Sequence, residues 1–208
     1  MSATIEFIFD FGSPNAYLAY RALPPILART GASLAISPCL LGGIFKATGN
    51  LAPTVAFAPI KGKLEYEMLE LRRFVAKHRL DKFRLNPHFP VNTLMLMRGL
   101  VAAREAGVEA GYLDMGLEGL WEEGLKLDDR EVLAHRIDAA GLDSASLLAA
   151  SQTDRVKLKL ADNTAAAVAR GVFGVPTFFV GDDMFFGKDR LGQVEEAVDP
   201  LGDAENTT

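Results

Sequence analysis

Cysteine is almost absent from this sequence of 208 residues, in which Cys39 is the only one. A single cysteine excludes an internal disulfide and fits a reducing compartment. The three histidines, His78, His88 and His135, are scattered, and no two have the spacing of metal ligands. We therefore expect no structural disulfide and no metal site.

Excess positive charge and long apolar runs are also lacking. The formal net charge is −5, which gives no electrostatic reason to bind nucleic acid or an anionic membrane surface. The apolar runs are short and interrupted, so no membrane span is predicted. The N-terminus lacks the basic and apolar regions of a secretory signal. With 49% hydrophobic residues, the sequence predicts a cytoplasmic globular protein with a sizeable core.

The first forty residues have the pattern of a βαβ unit. Apolar side chains alternate over residues 3–9, which predicts a strand. Pro14 suits the first turn of a helix, and Ser13 suits the capping position before it. The helix should run to about residue 30, with a kink or break at Pro24-Pro25. A second strand is predicted over residues 34–40.

Strand signals nearly vanish between residues 41 and 171, where apolar residues recur at helical spacing. Helices are predicted over residues 65–78, 93–106, 112–125, 130–140 and 153–170. A hairpin over 177–180 and 184–186 and a last helix over 189–198 follow. This order predicts an α/β thioredoxin-like fold (βαβ…ββα) with a large inserted all-helical domain. The thioredoxin-like domain would comprise residues 1–40 and 171–201, the helical insertion 41–170, and a flexible tail 202–208.

The start of the first helix is the candidate site. A thioredoxin-like fold carries its pair of redox cysteines there, whereas this sequence has Ser13 and Ala16. These residues exclude a disulfide oxidoreductase. Ser13 suits a simple helix cap, but a helix N-terminus also favours an anion, and the hydroxyl could donate a hydrogen bond to a bound thiolate. The residues alone leave both interpretations open.

The segment Gly174-Val175-Pro176-Thr177 has the position of the cis-proline loop of that fold. A cis bond before Pro176 would turn the backbone of Val175 toward the site, where it could pair with a peptide as an added strand does. Because the site lacks cysteines of its own but keeps these loops, we expect it to bind the thiol of another molecule. Glutathione is the obvious candidate.

Five segments in order resemble one known family. They are Phe9-Asp10-Phe11-Gly12-Ser13-Pro14 with Tyr17-Leu18, Leu41-Gly42-Gly43-Ile44-Phe45-Lys46-Ala47-Thr48-Gly49-Asn50, Pro87-His88-Phe89-Pro90-Val91-Asn92-Thr93, Gly174-Val175-Pro176-Thr177 and Phe186-Gly187-Lys188-Asp189-Arg190. Together they resemble the 2-hydroxychromene-2-carboxylate isomerases, which are relatives of the kappa-class glutathione transferases in the DsbA-like superfamily. The second and third segments favour the isomerase branch.

The resemblance implies a set of binding residues. Ser13 would contact the glutathione sulfur, Val175 and Pro176 would bind the peptide backbone, and Lys188 and Asp189 would hold the γ-glutamyl end. Asn50 and Lys63 would line the glutathione or substrate pocket, to which Phe45, Lys46 and Asn92 are also assigned. Lys63 and Tyr66 match the Lys-x-x-Tyr spacing of the family, although Lys61 lies close enough to compete for that position.

The sequence therefore suggests a glutathione-dependent cis-trans isomerase of 2-hydroxychromene-2-carboxylate or a similar aromatic degradation product. Glutathione would be a regenerated cosubstrate, and the family implies a homodimer. Two alternatives stay open, namely a kappa-like glutathione transferase and a glutathione-binding module without turnover. Cys39 lies in an apolar strand without a basic neighbour, and we expect it to be a buried, unreactive side chain.

Overall fold

The structure is a computed structural model that describes residues 3–199. The tail predicted for residues 202–208 lies outside the described residues. Within the described range, no helix combines the length and apolar character that a membrane span requires.

The described strands form one mixed sheet. They are β1 (Thr4–Phe9), β2 (Ser33–Pro38), β3 (Thr177–Val180) and β4 (Asp183–Phe186), in the order β2-β1-β3-β4. β1 pairs in parallel with β2, and β3 is antiparallel to both β1 and β4. This is the βαβ…ββα order predicted from the sequence.

The connection between β1 and β2 consists of α1 (Pro14–Ala22) and α2 (Pro24–Thr30). The predicted break at the proline pair is confirmed, because Pro24 has no N–H to continue the hydrogen-bond ladder of α1. Gly31 ends α2 in the left-handed conformation, with φ of 66°, and donates its N–H to the carbonyl of Leu27 at 3.0 Å.

The rest of the described chain is mainly helical. The helices are α3 (Leu41–Thr48), α4 (Pro53–Ala56), α5 (Lys63–His78), α6 (Leu94–Glu105), α7 (Glu109–Trp121), α8 (Arg130–Ala139), α9 (Ser144–Ala150), α10 (Asp154–Ala169) and α11 (Leu191–Val198), with a 3-10 helix (Lys188–Arg190) before α11. The sequence did not predict α3, α4 and α9, which are too short to show a helical period. The helix predicted to extend to residue 125 ends at Trp121, and Gly124 then adopts a φ of 71°.

Side chains are buried on both faces of the sheet. On one face, Phe7 and Phe9 pack in a cluster that continues through α1 into α6 and α7. On the other face, Ile8 and Phe179 pack with residues of α3 and α10. The helix α10 therefore packs on the sheet, although it lies within the predicted insertion, and the division at residues 41 and 170 stays a prediction.

Cys39 belongs to the second of these clusters. It is 1% exposed, and burial is the main cause that raises the pKa of its thiol to about 12. A thiol in this environment stays protonated and is a poor nucleophile. The prediction that Cys39 is a buried structural side chain is confirmed.

Candidate active site

Ser13 lies at the N-terminus of α1 and is 6% exposed. Its Oγ accepts a hydrogen bond from the Ala16 N–H at 3.2 Å, which confirms the predicted helix cap. The same hydroxyl donates its proton to the carbonyl oxygen of Val175 at 3.2 Å. Ser13 therefore caps α1 and also joins it to the loop before β3.

The loop before β3 contains a cis peptide bond between Val175 and Pro176, which is the bond that a thioredoxin-like fold implies at this position. The Thr177 hydroxyl donates to the carbonyl of Gly174 at 2.7 Å, and the Gly187 N–H donates to the carbonyl of Pro176 at 2.9 Å. Among the described residues, no group accepts a hydrogen bond from the N–H of Val175. That N–H can therefore pair with the backbone of a bound peptide.

Lys188 and Asp189 follow Gly187 in the 3-10 helix. The Lys188 amine lies 3.0 Å from each carboxylate oxygen of Asp189 and 5.2 Å from the centre of the Phe74 ring. The side chain of Lys188 is 6% exposed, whereas that of Asp189 is 61% exposed. Asp189 can therefore meet a ligand in solvent, while the amine of Lys188 holds the Asp189 carboxylate from the buried side.

Asp10 is a buried carboxylate next to this site, and it was not among the residues to which the sequence assigned a function. Its Oδ1 accepts hydrogen bonds from the Gly12 N–H at 2.8 Å and the Thr93 hydroxyl at 2.7 Å, and its Oδ2 accepts one from the Leu41 N–H at 2.7 Å. Complete burial raises the pKa of Asp10, and these three donors act in the opposite direction. The one feature of the sequence that could have indicated a role for Asp10 is its position directly after β1.

Two side chains from the helical region fix the loop and helix that carry Ser13. The indole Nε1 of Trp121 donates to the carbonyl of Phe11 at 2.9 Å, and the Tyr17 hydroxyl donates to Glu122 at 3.0 Å. Trp121 is a core residue, with 2% exposure. The end of α7 therefore holds both the loop before α1 and the first turns of α1.

The remaining predicted residues are not joined to Ser13 by hydrogen bonds in the described structure. Asn50 is exposed and follows α3, the helix that carries the half-buried Phe45 and the exposed Lys46. Asn92 accepts a hydrogen bond from the Leu94 N–H at 3.0 Å and precedes Thr93, so it is linked to the site through Asp10.

Lys63 begins α5 and lies near aromatic side chains. Its amine is 2.5 Å from Glu67 and 4.9 Å from the centre of the Phe57 ring. Lys61, by contrast, is exposed and precedes the helix. The assignment of Lys63, and not Lys61, to the pocket stays a prediction.

No group of three or more histidine, cysteine, aspartate or glutamate side chains that could hold a metal ion occurs within residues 3–199. The polar groups at the site are instead a hydroxyl, backbone amides and carbonyls, and an exposed carboxylate. Such groups can donate and accept hydrogen bonds, as the recognition of a peptide backbone requires.

Comparisons with known proteins identify the family of the chain. A family model for the DSBA-like thioredoxin domain matches residues 4–199. The 2-hydroxychromene-2-carboxylate isomerase of Sphingobium xenophagum is 30% identical over 203 residues, which are 94% of this chain and 97% of that protein. Glutathione S-transferase kappa 1 of Rattus norvegicus is 28% identical over 199 residues, covering 90% of this chain and 87% of that protein.

A solved structure of a 2-hydroxychromene-2-carboxylate isomerase covers 99% of this chain and 100% of its own, with 27% identity and a TM-score of 0.81. The predicted thioredoxin-like fold is thus confirmed, and so is the resemblance drawn from the five sequence segments. The chain belongs to the DsbA-like thioredoxin-domain family and, within it, to the family of the 2-hydroxychromene-2-carboxylate isomerases.

Proposed function

We propose that this protein is a glutathione-dependent cis-trans isomerase that acts on 2-hydroxychromene-2-carboxylate or a similar aromatic degradation product. The names of its relatives support an isomerase or transferase function. The observation that supports the proposal most is the hydrogen bond from the Ser13 hydroxyl to the carbonyl of Val175. It holds the N-terminus of α1 beside the residue that precedes the cis-proline, whose own N–H has no acceptor among the described residues.

The residues of the site fit glutathione in chemical type. The Val175 N–H can pair with the cysteinyl backbone, and the exposed Asp189 carboxylate can accept the γ-glutamyl ammonium. The Ser13 hydroxyl would then lie near the sulfur, at the positive end of the α1 dipole. Bound glutathione would supply a thiolate that adds reversibly to a conjugated double bond, so that the bond rotates as a single bond before elimination restores it.

Within this scheme, Ser13 has a defined task. Its hydroxyl proton points to the Val175 carbonyl at 3.2 Å, so it must rotate toward the sulfur to donate a hydrogen bond to the thiolate. The cap bond from Ala16 to Oγ can persist during that rotation, because the hydroxyl oxygen accepts it without using its proton. Ser13 therefore stabilises an anion and is not itself the nucleophile.

The substrate pocket would involve the other predicted residues. A flat anionic substrate needs an aromatic contact and a cation, which Phe45 with Lys46, or Phe57 with Lys63, would provide. Asn92 lies on the segment that Asp10 joins to the Ser13 loop, and it would border the same pocket.

A thermal shift experiment tests the thiol-handling site. Glutathione should raise the melting temperature more than an analogue of the same charge in which a methyl group replaces the thiol. The larger shift is expected because the site recognises both the tripeptide and its sulfur. Equal shifts would contradict recognition of the sulfur, and no shift at saturating ligand would contradict the proposal as a whole.

A kappa-like transferase is the second candidate, and the rat relative favours it. The two activities differ in the fate of glutathione, which a transferase consumes in a conjugate and an isomerase regenerates. A module that binds glutathione without turnover would show the thermal shift and neither activity.

We also propose a cytoplasmic homodimer. Four large apolar side chains are more than half exposed along residues 51–66, namely Leu51, Val55, Ile60 and Tyr66. A second copy of the chain would shield such a surface from water. A mass measurement in solution by light scattering tests this, and a monomer across the accessible concentration range would contradict it.

A further inference from the structure

We propose that Asp10 is a positioning residue, which fixes the Ser13 loop against the first residue of α3 and the residue before α6, and so sets the geometry of the reaction site. We call Asp10 with its three hydrogen-bond donors, Gly12, Leu41 and Thr93, the Asp10 clamp. The inference deepens the proposed function and rests on it for its catalytic part.

The Asp10 clamp joins three segments that are far apart in the sequence. Thr93 lies 83 positions and Leu41 lies 31 positions from Asp10, and both donors are within 2.7 Å of a carboxylate oxygen. The third donor, the Gly12 N–H at 2.8 Å, belongs to the loop that leads directly into Ser13. One side chain thus connects the loop before α1 with the starts of α3 and α6.

Each joined segment carries residues assigned to the site. The Gly12 segment carries Ser13, and Leu41 is the first residue of α3, which bears Phe45 and Lys46. Thr93 follows Asn92 and precedes α6. A change in the Asp10 clamp would therefore move the sulfur-binding group relative to the groups predicted to hold the substrate.

The chemistry of the clamp calls for a carboxylate. All three partners donate to Asp10, and an ionised carboxylate accepts hydrogen bonds without offering a proton of its own. An asparagine would direct its NH₂ group at one of these donors. Burial of an ionised carboxylate costs free energy unless the carboxylate is hydrogen-bonded. The fully buried Asp10 therefore depends on its three donors.

The fit around Gly12 is also close. A Cβ atom at this position would lie 3.3 Å from Asp10 Oδ1 and 3.3 Å from Thr93 Cγ2. The loop therefore packs closely against the carboxylate and the threonine, and a residue larger than glycine at this position would require one of them to shift. This contact lets Thr93 act on the Ser13 loop through Asp10.

Thr93→Val and Thr93→Ser form the main test, because Asp10→Asn would bury an NH₂ group against a backbone N–H donor and is the variant at risk of not folding. Valine has the shape of threonine without the hydroxyl, whereas serine keeps the hydroxyl. We expect Thr93→Val to lower kcat about tenfold and to raise KM for the aromatic substrate. Thr93→Ser should keep kcat and KM within about twofold of the original protein.

If the Thr93 hydroxyl contributed to stability alone, the two variants would behave differently. Thr93→Val would then melt at a lower temperature but keep kcat and KM well below its melting range, and that result would overturn the proposal. Equal losses in the serine and valine variants would also overturn it, because the hydroxyl would then not be the group that matters.

Amide hydrogen exchange tests the Asp10 clamp without any ligand. Exchange at Gly12 and Leu41 should be at least about tenfold faster in Thr93→Val than in Thr93→Ser, since the carboxylate would be held less firmly. Unchanged exchange in the valine variant would overturn the clamp itself. If exchange responds as expected but the original protein shows no glutathione-dependent turnover, the proposed function fails and the structural linkage stands.

Discussion

Replacement of Ser13 by alanine separates the capping interpretation of this residue from the catalytic one. The change removes the acceptor of the Ala16 N–H and the donor to the Val175 carbonyl, both at 3.2 Å. Loss of a hydroxyl cap costs about 1 kcal/mol. Loss of the neutral hydrogen bond to Val175 costs about 1 kcal/mol more. The free energy of unfolding should thus fall by about 2 kcal/mol, a loss of roughly 4–8 °C in melting temperature for a chain of this size.

The effect on the thiol follows from a second comparison. A hydrogen bond to a charged group contributes about 1.5–3 kcal/mol, whereas the bond to Val175 that Ser13 gives up contributes about 1 kcal/mol. The net stabilisation of the thiolate is then about 0.5–2 kcal/mol, and the middle of this range is close to one pKa unit. In Ser13→Ala, the pKa of the bound glutathione thiol should rise by about one unit. Turnover at neutral pH should fall about tenfold and recover in part at higher pH.

The assay pairs thermal unfolding with titration of the bound thiolate by its ultraviolet absorbance. Thr153→Ala is a matched control, because it also removes a hydroxyl cap, at the start of α10. That variant should lose stability without any change in the thiol titration. An unchanged thiol pKa and an unchanged rate in Ser13→Ala would refute the catalytic reasoning, even if glutathione still bound.

Three further predictions follow from the contacts around the site. Cys39→Ala should keep glutathione-dependent activity, and in the native protein the Cys39 thiol should resist a thiol reagent at neutral pH, because burial raises its pKa to about 12. The binding affinity for glutathione should exceed that for an analogue without the γ-glutamyl amino group, and Asp189→Asn should abolish this difference when both affinities are measured by calorimetry. A difference retained in the variant would exclude Asp189 as the partner of the ammonium group. Burial, and secondly the hydrogen bond to Glu122, raises the pKa of Tyr17 to about 12, above its ordinary value of 10.0. The native state thus holds the Tyr17 proton more firmly than the unfolded state, and the stability this provides below pH 10 should be lost as the pH rises through about 12. Tyr17→Phe should therefore lose less stability than the original protein between neutral and alkaline pH.

Local signals were sufficient for much of the fold. Alternation over residues 3–9 and the Ser13-Pro14 pair depend only on neighbours in the chain, and both led to the observed strand and capped helix. The short helices α3 and α9 have seven or eight residues, so their apolar pattern covers about two turns and gives no clear period. Gly42 and Gly43 further weaken the helical signal of α3.

Most tertiary contacts of the site could not be predicted from the sequence. Ser13 and Val175 could be placed together because the fold was inferred, although 162 positions separate them. Asp10, by contrast, looked like the end of a strand, because nothing local shows that Thr93 and Leu41 would donate to it. The burial of Lys188 against Phe74 could not be predicted from the sequence either, since it depends on how α5 packs near the 3-10 helix.

The most direct test of the central claim follows 2-hydroxychromene-2-carboxylate with the purified protein, with and without glutathione, while both the substrate isomers and the glutathione are quantified. We expect the trans isomer to form only when glutathione is present, and the amount of glutathione to stay unchanged. Isomerisation at the same rate without glutathione would exclude a glutathione-dependent isomerase. Consumption of glutathione in equal amount with the substrate, as a conjugate, would exclude its regeneration.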